Sequence, residues 1–268
     1  MLISRRSTLA YASVVTACAT NAIPADAQIS VPGQPQQAAQ LVQHLVIHQD
    51  QSGGQAYHVG LAVPSPDAAW QAPGLLNERD YQLSLATFTK RNYGLRRVDA
   101  FQTRRGLRYA AIWQWGATAP ARIAHDMTAA GFQAANEFYA AENLVLAHVG
   151  AHATPAGARF TALWDKASGP AQKVFTGLTT AQYKSRVATL AADGFRPQQI
   201  AGYAADGGIR FAAVFTNRAG AFEAQHAIPA AQFHARSAAM LAQGFALRDA
   251  SGFVAGRRPF VTAVWEQA

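Results

Sequence analysis

Three histidines near residue 50 have the type and spacing of metal ligands. His44 and His48 are four residues apart in an apolar segment, and His58 follows a Ser-Gly-Gly turn. On an extended strand, residues i and i+4 point to the same face. Three imidazoles that meet there would form a ligand set that zinc binds. A histidine on a half-buried strand is more often simply hydrogen-bonded, so we expect no bound metal and no other cofactor.

A nucleophilic site has weaker support in the sequence. Ser251, followed by Gly252, is the serine that comes nearest to a sharp glycine turn, but the Gly-x-Ser-x-Gly pattern is missing. The single cysteine, Cys18, lies in the amino-terminal segment, so neither a disulfide framework nor a cysteine zinc site can form within the chain. The sequence also has no glycine-rich phosphate loop. We therefore assign no catalytic residue.

Composition and charge narrow the classes of protein further. Half of the chain is apolar, which excludes a disordered polymer, and 23 basic against 15 acidic residues give a net charge of +8. The basic residues are scattered and form no run of five or six, as expected of a solvated surface. We therefore expect no nucleic acid partner.

The amino terminus is predicted to be an export signal over residues 1–27. Arg5 and Arg6 form a positive region, a short apolar stretch follows, and Ala25-Asp26-Ala27 is a small-x-small cleavage site. The arginine pair resembles a twin-arginine signal. The apolar stretch is too short to span a bilayer. In a competing interpretation the segment ending at Cys18 is a lipobox, and the cysteine carries a lipid anchor. Both interpretations place the protein outside the cytoplasm, in the periplasm or the extracellular space. Residues 28–40, rich in Gln and Pro, are predicted to be a flexible linker.

From residue 41 to 268 we predict a single domain of tandem repeats. A pattern of apolar, any, Ala, aliphatic and aromatic residues recurs four times, and its last residues are 51, 51 and 50 positions apart. Five columns keep this register: Trp113, Trp164, Phe215 and Trp265; Tyr81, Phe132, Tyr183 and Phe233; Phe88, Tyr139, Leu190 and Met240; Asn92, Asn143, Gly194 and Gly244; and Phe101, His152, Tyr203 and Phe253. A fixed period of this length is typical of a repeat architecture.

Each repeat is predicted to be a helix followed by a hairpin. In the third copy Tyr183, Val187 and Leu190 lie on one helical face, Thr179 or Thr180 caps its start, and Gly194 ends it. Strands over 196–203 and 210–216 flank an Asp-Gly-Gly turn. Residues 45–63 look like a further hairpin without a helix. The fold class is therefore α+β, with four helix–strand–strand units after one half-unit, over about 41–66, 67–115, 116–166, 167–217 and 218–268.

These columns resemble the bacterial tandem repeat found in the amino-terminal region of polyglycine hydrolases. The resemblance covers residues 45–268 and implies stacked hairpins with helices packed against them. In that family the activity belongs to a serine-hydrolase domain that needs a Ser-x-x-Lys motif. This chain has no Ser-x-x-Lys. The resemblance therefore implies the structural repeats without the catalytic part.

The repeats also separate packing residues from candidate contact residues. Arg108, Arg159 and Arg210 recur in register. This predicts a structural role, such as pairing with an adjacent carboxylate (Asp165 or Glu266) or stacking on an aromatic face, and an anion-binding stripe is the functional alternative. Arg97, His148, Gln199 and Asp249 occupy one polar column that differs in every copy, as expected of a recognition surface. The candidate contact surface consists of two kinds of residue. Trp70 and Trp115 fall outside the columns, and Arg104, Arg105, Arg257 and Arg258 belong to arginine-rich turns.

Two classes of function remain. The first is an exported, non-catalytic repeat protein that binds a cell-envelope polymer or a protein partner. The second is an accessory or degenerate serine hydrolase. The missing motif and the repeats that occupy most of the chain favour the binding or scaffold module.

Overall fold

A computed structural model describes the backbone of residues 40–49, 56–64, 70–103, 106–166, 169–256 and 258–267, and the side chains of these ranges from residue 71 onward. The four helices each have 13 residues: α1 (Glu78–Lys90), α2 (Ala129–Ala141), α3 (Thr180–Ala192) and α4 (Ala230–Ala242). The predicted export signal and linker, apart from Gln40, lie outside the described residues.

The strands form one antiparallel sheet per repeat and a separate two-stranded ladder. The ladder consists of β1 (Gln40–Gln49) and β2 (Ala56–Pro64). The strands of the first repeat are β3 (Trp70–Gln71), β4 (Leu75–Leu76), β5 (Tyr93–Thr103) and β6 (Gly106–Trp115). Those of the second are β7 (Arg122–Met127), β8 (Val145–Thr154) and β9 (Gly157–Asp165). Those of the third and fourth are β10 (Gln172–Leu178), β11 (Phe195–Ala205), β12 (Gly208–Asn217), β13 (Phe222–Pro229), β14 (Phe245–Ala255) and β15 (Arg258–Gln267).

Local sequence explains where each helix begins and ends. Thr179 caps α3, and with Gln182 it forms a capping box. The residues just beyond the four helices have positive φ: Asn92 at 64°, Asn143 at 59°, Gly194 at 77° and Gly244 at 83°. The prediction that these residues end the helices is confirmed. Glycine, and next to it asparagine, adopts this left-handed conformation most easily.

Every repeat has a strand before its helix that the sequence did not predict. It pairs with the last strand of the repeat, so that the last strand lies in the middle of the sheet. In the first repeat this strand is divided into β3 and β4. In the other three repeats it is interrupted by a bulge that contains a residue with positive φ: Asp126, Gly177 or Ala227. The bulge breaks the two-residue alternation that identifies a strand in a sequence.

The aromatic columns form the core of each repeat. Trp113, Trp164 and Trp265 are fully buried, as predicted, and the helix aromatic of each repeat packs close to them. The helix thereby covers one face of its own sheet. The tandem helix–strand–strand architecture is confirmed.

Neighbouring repeats meet along their second strands. β5 contacts β8, β8 contacts β11, and β11 contacts β14. A side chain on Gly202 would place its Cβ 2.3 Å from the ring of Phe253 in the next repeat, so this approach requires glycine. Strand β1 contacts strands of both the fourth and the first repeat.

Candidate functional site

The second strand of every repeat has a β-bulge at the same position. The register shifts between Leu95 and Arg97, Leu146 and His148, Pro197 and Gln199, and Leu247 and Asp249. The first residue paired after each bulge is the polar-column residue. A bulge changes the direction of the strand and of the side chains beside it.

In the middle of the array, each polar-column side chain bonds to the backbone of the preceding repeat. His148 Nε2 lies 3.0 Å from the carbonyl oxygen of Val98, so this nitrogen carries the proton and donates it. Gln199 accepts a hydrogen bond from the Val149 amide at 3.1 Å and donates one to the Ala147 carbonyl at 3.1 Å. The amide side chain thus replaces a strand partner for the neighbouring backbone.

The same arrangement continues from the fourth repeat back to the first. Asp249 Oδ2 accepts a hydrogen bond from the Ile200 amide at 3.2 Å. Arg97 donates to Asp249 Oδ1 at 2.8 Å and to the Ala250 carbonyl at 2.7 Å. Each repeat is therefore bonded to the next, and the first is bonded to the fourth. The four repeats form a closed circuit.

This circuit is buried and charged. Arg97 and Asp249 are 5% and 3% exposed. Arg97 also donates to Asp99 at 2.8 Å. Burial would raise the pKa of Asp99, but the charges of Arg97 and His148 hold that pKa well below its ordinary range. The interpretation of the polar column as a recognition surface is therefore wrong: the column joins the repeats.

The hairpin β1–β2 repeats part of this pattern. Its register shifts between Val42 and His44, so His44 is the first residue after a bulge, like Arg97 in the first repeat. His48 is paired with Tyr57 and His58 with Ile47, so His48 and His58 belong to adjacent pairs of the ladder. The side chains of all three histidines lie outside the described residues, and the weak zinc candidates stay a prediction.

A second polar network joins the first and second repeats, and the sequence analysis did not single it out. Tyr81 Oη lies 3.2 Å from His125 Nε2, and the Tyr81 and Tyr109 rings are stacked at 4.7 Å. A hydrogen bond from Tyr109 lowers the pKa of Glu78, and burial lowers the pKa of His125. Tyr81 and Tyr109 are almost fully buried. The one signal in the sequence was the tyrosine at position 109, where other copies have Phe or Val.

The recurring arginines have other partners than predicted. Arg159 Nε lies 3.4 Å from Asp126, and Arg210 Nε lies 3.7 Å from Asp206. Arg108 donates to the Leu107 carbonyl at 2.8 Å. Two of the three arginines therefore pair with a carboxylate, as the structural role implied, but that carboxylate is neither Asp165 nor Glu266. Each of the three arginines contacts an acceptor within its own repeat.

Trp70 and Trp115 are placed at the same end of the first sheet. Trp70 is paired with Gln114, the residue before Trp115, and Trp115 is paired with Tyr93. Trp115 is 51% exposed. The Gly116 amide donates to the Asn92 carbonyl at 2.7 Å, which fixes this strand end beside the end of α1.

Of the four arginines in the predicted arginine-rich turns, the structure describes only Arg258. Arg104, Arg105 and Arg257 are outside the described residues, and Arg258 is exposed at the start of β15. Arg258 belongs to the fourth repeat, whereas Trp70 and Trp115 belong to the first. The fold thus separates the candidate contact residues into at least two places.

The described residues offer little for catalysis or metal binding. Ser251 is 7% exposed within β14, and its carbonyl accepts a hydrogen bond from Thr262. Within the described ranges, no three His, Cys, Asp or Glu side chains are grouped so that they could hold a metal ion. None of the helices seen there has the length and apolar character to cross a membrane.

The fold and the contacts between repeats define a tandem-repeat protein. Each of its four repeats is bonded to the next, and the first is bonded to the fourth. The family model described as polyglycine hydrolase-like, structural repeat matches four segments, at residues 67–114, 119–167, 169–218 and 219–268. The chain belongs to this family. No curated protein matches it.

Proposed function

We propose that this protein is an exported, non-catalytic binding or scaffold module, and that its partner is an anionic polymer of the cell envelope. A protein partner is the other outcome that the test below can reveal. The observation that carries the proposal is the exposed Trp115 on a repeat that is otherwise packed as its columns require. The corresponding positions of the other repeats hold Lys166, Asn217 and Gln267.

The Trp115 patch consists of Lys90, Arg91, Tyr93 and Trp115. Lys90 and Arg91 are exposed at the end of α1, and Tyr93 is half-buried and paired with Trp115. The residues equivalent to Lys90 and Arg91 in the second repeat are Ala and Glu, so the cationic pair is special to the first repeat. An exposed aromatic ring on a strand that ends beside a helix end with two exposed cations is suited to a polymer with sugar faces and phosphate or carboxylate groups.

The closed circuit supports a scaffold role for the remainder of the molecule. Its buried polar groups are bonded to neighbouring repeats, so the ends of the sheets keep fixed positions. A rigid surface loses little conformational entropy when it binds a partner. The alternative, a degenerate serine hydrolase, would need an accessible nucleophile, whereas Ser251 is buried in a strand.

The test is co-sedimentation of the protein from residue 28 onward with purified cell-wall polymer. Trp115→Ala is expected to weaken binding by roughly tenfold, as for an aromatic contact of moderate strength. Leu83→Ala is the matched control, since Leu83 is a 64% exposed apolar side chain of the same repeat. Binding should fall with added salt because cations contribute.

Equal binding by the wild type and Trp115→Ala would contradict the role of the Trp115 patch. If the protein sediments with a protein fraction of the envelope and not with the purified polymer, the partner is a protein. The same preparations are assayed against glycine-rich peptides, β-lactams and simple esters, and no turnover is expected. Hydrolysis that disappears in Ser251→Ala would establish the alternative function.

A further inference from the structure

The junction between the third and fourth repeats contains more positive charge than its contacts balance. Arg196 on β11 and Arg218 after β12 both contact Glu266 on β15; the Arg196 Nη2 to Glu266 Oε1 distance is 3.5 Å. Arg248, exposed on β14, is close enough to act electrostatically on Arg196. Two guanidinium groups therefore contact one carboxylate, and a third acts electrostatically on Arg196.

Arg196 is the least satisfied of these groups. Its side chain is only 9% exposed, and its Nε atom is buried with no hydrogen-bond partner among the described residues. The Nε of Arg218 is in the same condition. A buried guanidinium has five N–H donors and is costly to leave without acceptors.

Electrostatics agree with this geometry. Burial lowers the pKa of Arg196; Glu266 opposes the shift, and the charges of Arg218 and Arg248 lower the pKa further. Like charges held together destabilise one another, and an added anion would relieve that repulsion.

The comparison with the other repeats shows that the cluster is not required by the fold. The positions of Arg196 and Arg218 hold Gly94 and Gly116 in the first repeat, and Val145 and Ala167 in the second. At the junction of those two repeats, Arg96 Nη1 lies 4.0 Å from Asp165, one cation to one carboxylate.

The backbone also holds the buried guanidinium in place. Gly220 has φ of 110°, and a Cβ there would lie 2.6 Å from Arg196 Nη1. The loop after β12 therefore lies against the guanidinium, and the positive φ of Gly220 is a backbone conformation that favours glycine. A side chain that is fixed before binding loses less entropy when it takes a ligand.

We propose that Arg196, Arg218 and Arg248 form a binding site for an oxyanion, a phosphate or carboxylate group, at the junction of the third and fourth repeats. Glu266 contacts the two inner arginines and competes with the anion for them, and Arg248 lies at the rim of the site. Guanidinium groups bind both oxyanions through paired charge-assisted hydrogen bonds. The site is separate from the Trp115 patch in the first repeat, so failure of one proposal would not contradict the other.

The experiment titrates the protein from residue 28 onward with inorganic phosphate and, in a second arm, with glucuronate. Sodium chloride keeps the ionic strength constant, and the thermal unfolding midpoint is measured. A saturable rise is expected with at least one oxyanion. Saturation by phosphate alone assigns a phosphate-bearing ligand, and saturation by glucuronate alone a carboxylate-bearing one. No rise beyond the chloride control with either overturns the proposal.

Two variants and two controls locate the site. Arg248→Ala is expected to weaken binding of the anion by roughly tenfold, as for one lost charge-assisted contact. Glu266→Gln removes the competing carboxylate, so the anion should bind more tightly and raise the midpoint by more than in the wild type. Arg236→Ala, at an exposed arginine of α4, and Trp115→Ala should both bind the anion like the wild type. Equal loss in Arg236→Ala and Arg248→Ala, or weaker binding by Glu266→Gln in a protein that is still folded, would refute the site.

Discussion

His152 shows how one side chain fits the repeat and still differs from it. Its column holds Phe101, Tyr203 and Phe253 in the other copies, and His152 is 7% exposed. Its Nε2 atom is buried without a hydrogen-bond partner among the described residues. Burial lowers the pKa of His152 to about 4, with Asp126 opposing the shift and Arg159 adding to it. The ring therefore serves as a neutral aromatic filler, in keeping with the aromatic residues of its column.

The pKa of His152 predicts a pH dependence of stability. The unfolded chain takes up a proton near pH 6.5, whereas the folded protein does so only near pH 4. Between these values the unfolded state binds more protons, so stability is complete above about pH 6.5 and falls as the pH drops to about 4. The slope is at most about 1.4 kcal/mol per pH unit for one group.

His152→Phe is expected to reduce this loss of stability, measured as the free energy of unfolding in urea at pH 7 and pH 4.5. His125 and His226 also have pKa values lowered by burial, so part of the dependence should persist. His234→Phe, at an exposed residue of α4, is the control. An unchanged pH profile in His152→Phe would contradict the assignment.

At the scale of the element, the sequence was most informative about helices and hairpins. Thr179 and Gly194 define the two ends of α3 through local contacts within one turn. The hairpin turn at Asp206 and Gly207 has positive φ at both residues, as a tight two-residue turn requires. The short strand before each helix escaped prediction because its bulge removes the alternating pattern.

The left-handed helix ends predict opposite effects for two substitutions. Gly194→Ala should lower the free energy of unfolding by about 1–2 kcal/mol, because a Cβ is disfavoured at positive φ. The nearest atom to that Cβ, Asn217 Oδ1, would be at 3.6 Å, an ordinary contact, so the cost is that of the backbone conformation alone. Asn143→Gly, at φ of 59°, should be neutral or slightly stabilising. Urea denaturation measures both, and a neutral Gly194→Ala would be inconsistent with this explanation.

At the scale of the whole molecule, the closed circuit distinguishes this protein from an open array of repeats. In an open array each unit contacts only its neighbours, so damage at one end leaves the other end intact. Here Arg97 of the first repeat bonds to Asp249 and Ala250 of the fourth. The stability of the two ends is therefore coupled.

Asp249→Ala tests this coupling. Loss of the carboxylate deprives the buried Arg97 of one partner and should cost about 3–5 kcal/mol, the usual effect of breaking a buried ion pair. Hydrogen exchange should become faster in β5 of the first repeat as well as in β11 and β14. Glu223→Ala, at an exposed carboxylate of the fourth repeat, should leave exchange in β5 unchanged. Faster exchange confined to β11 and β14 would show that the array is open.

The sequence alone predicts the helix ends and the hairpins because these depend on residues a few positions apart. It predicts the period and the aromatic columns because one pattern recurs every 50 or 51 positions. It did not determine the role of the polar column. Arg97, His148, Gln199 and Asp249 differ in chemistry, and variable polar residues are typical of a surface. Their hydrogen bonds to other repeats depend on the bulges and join residues about 50 to 150 positions apart. No local pattern predicts such contacts, since they form only when the sheets are brought together and the circuit closes.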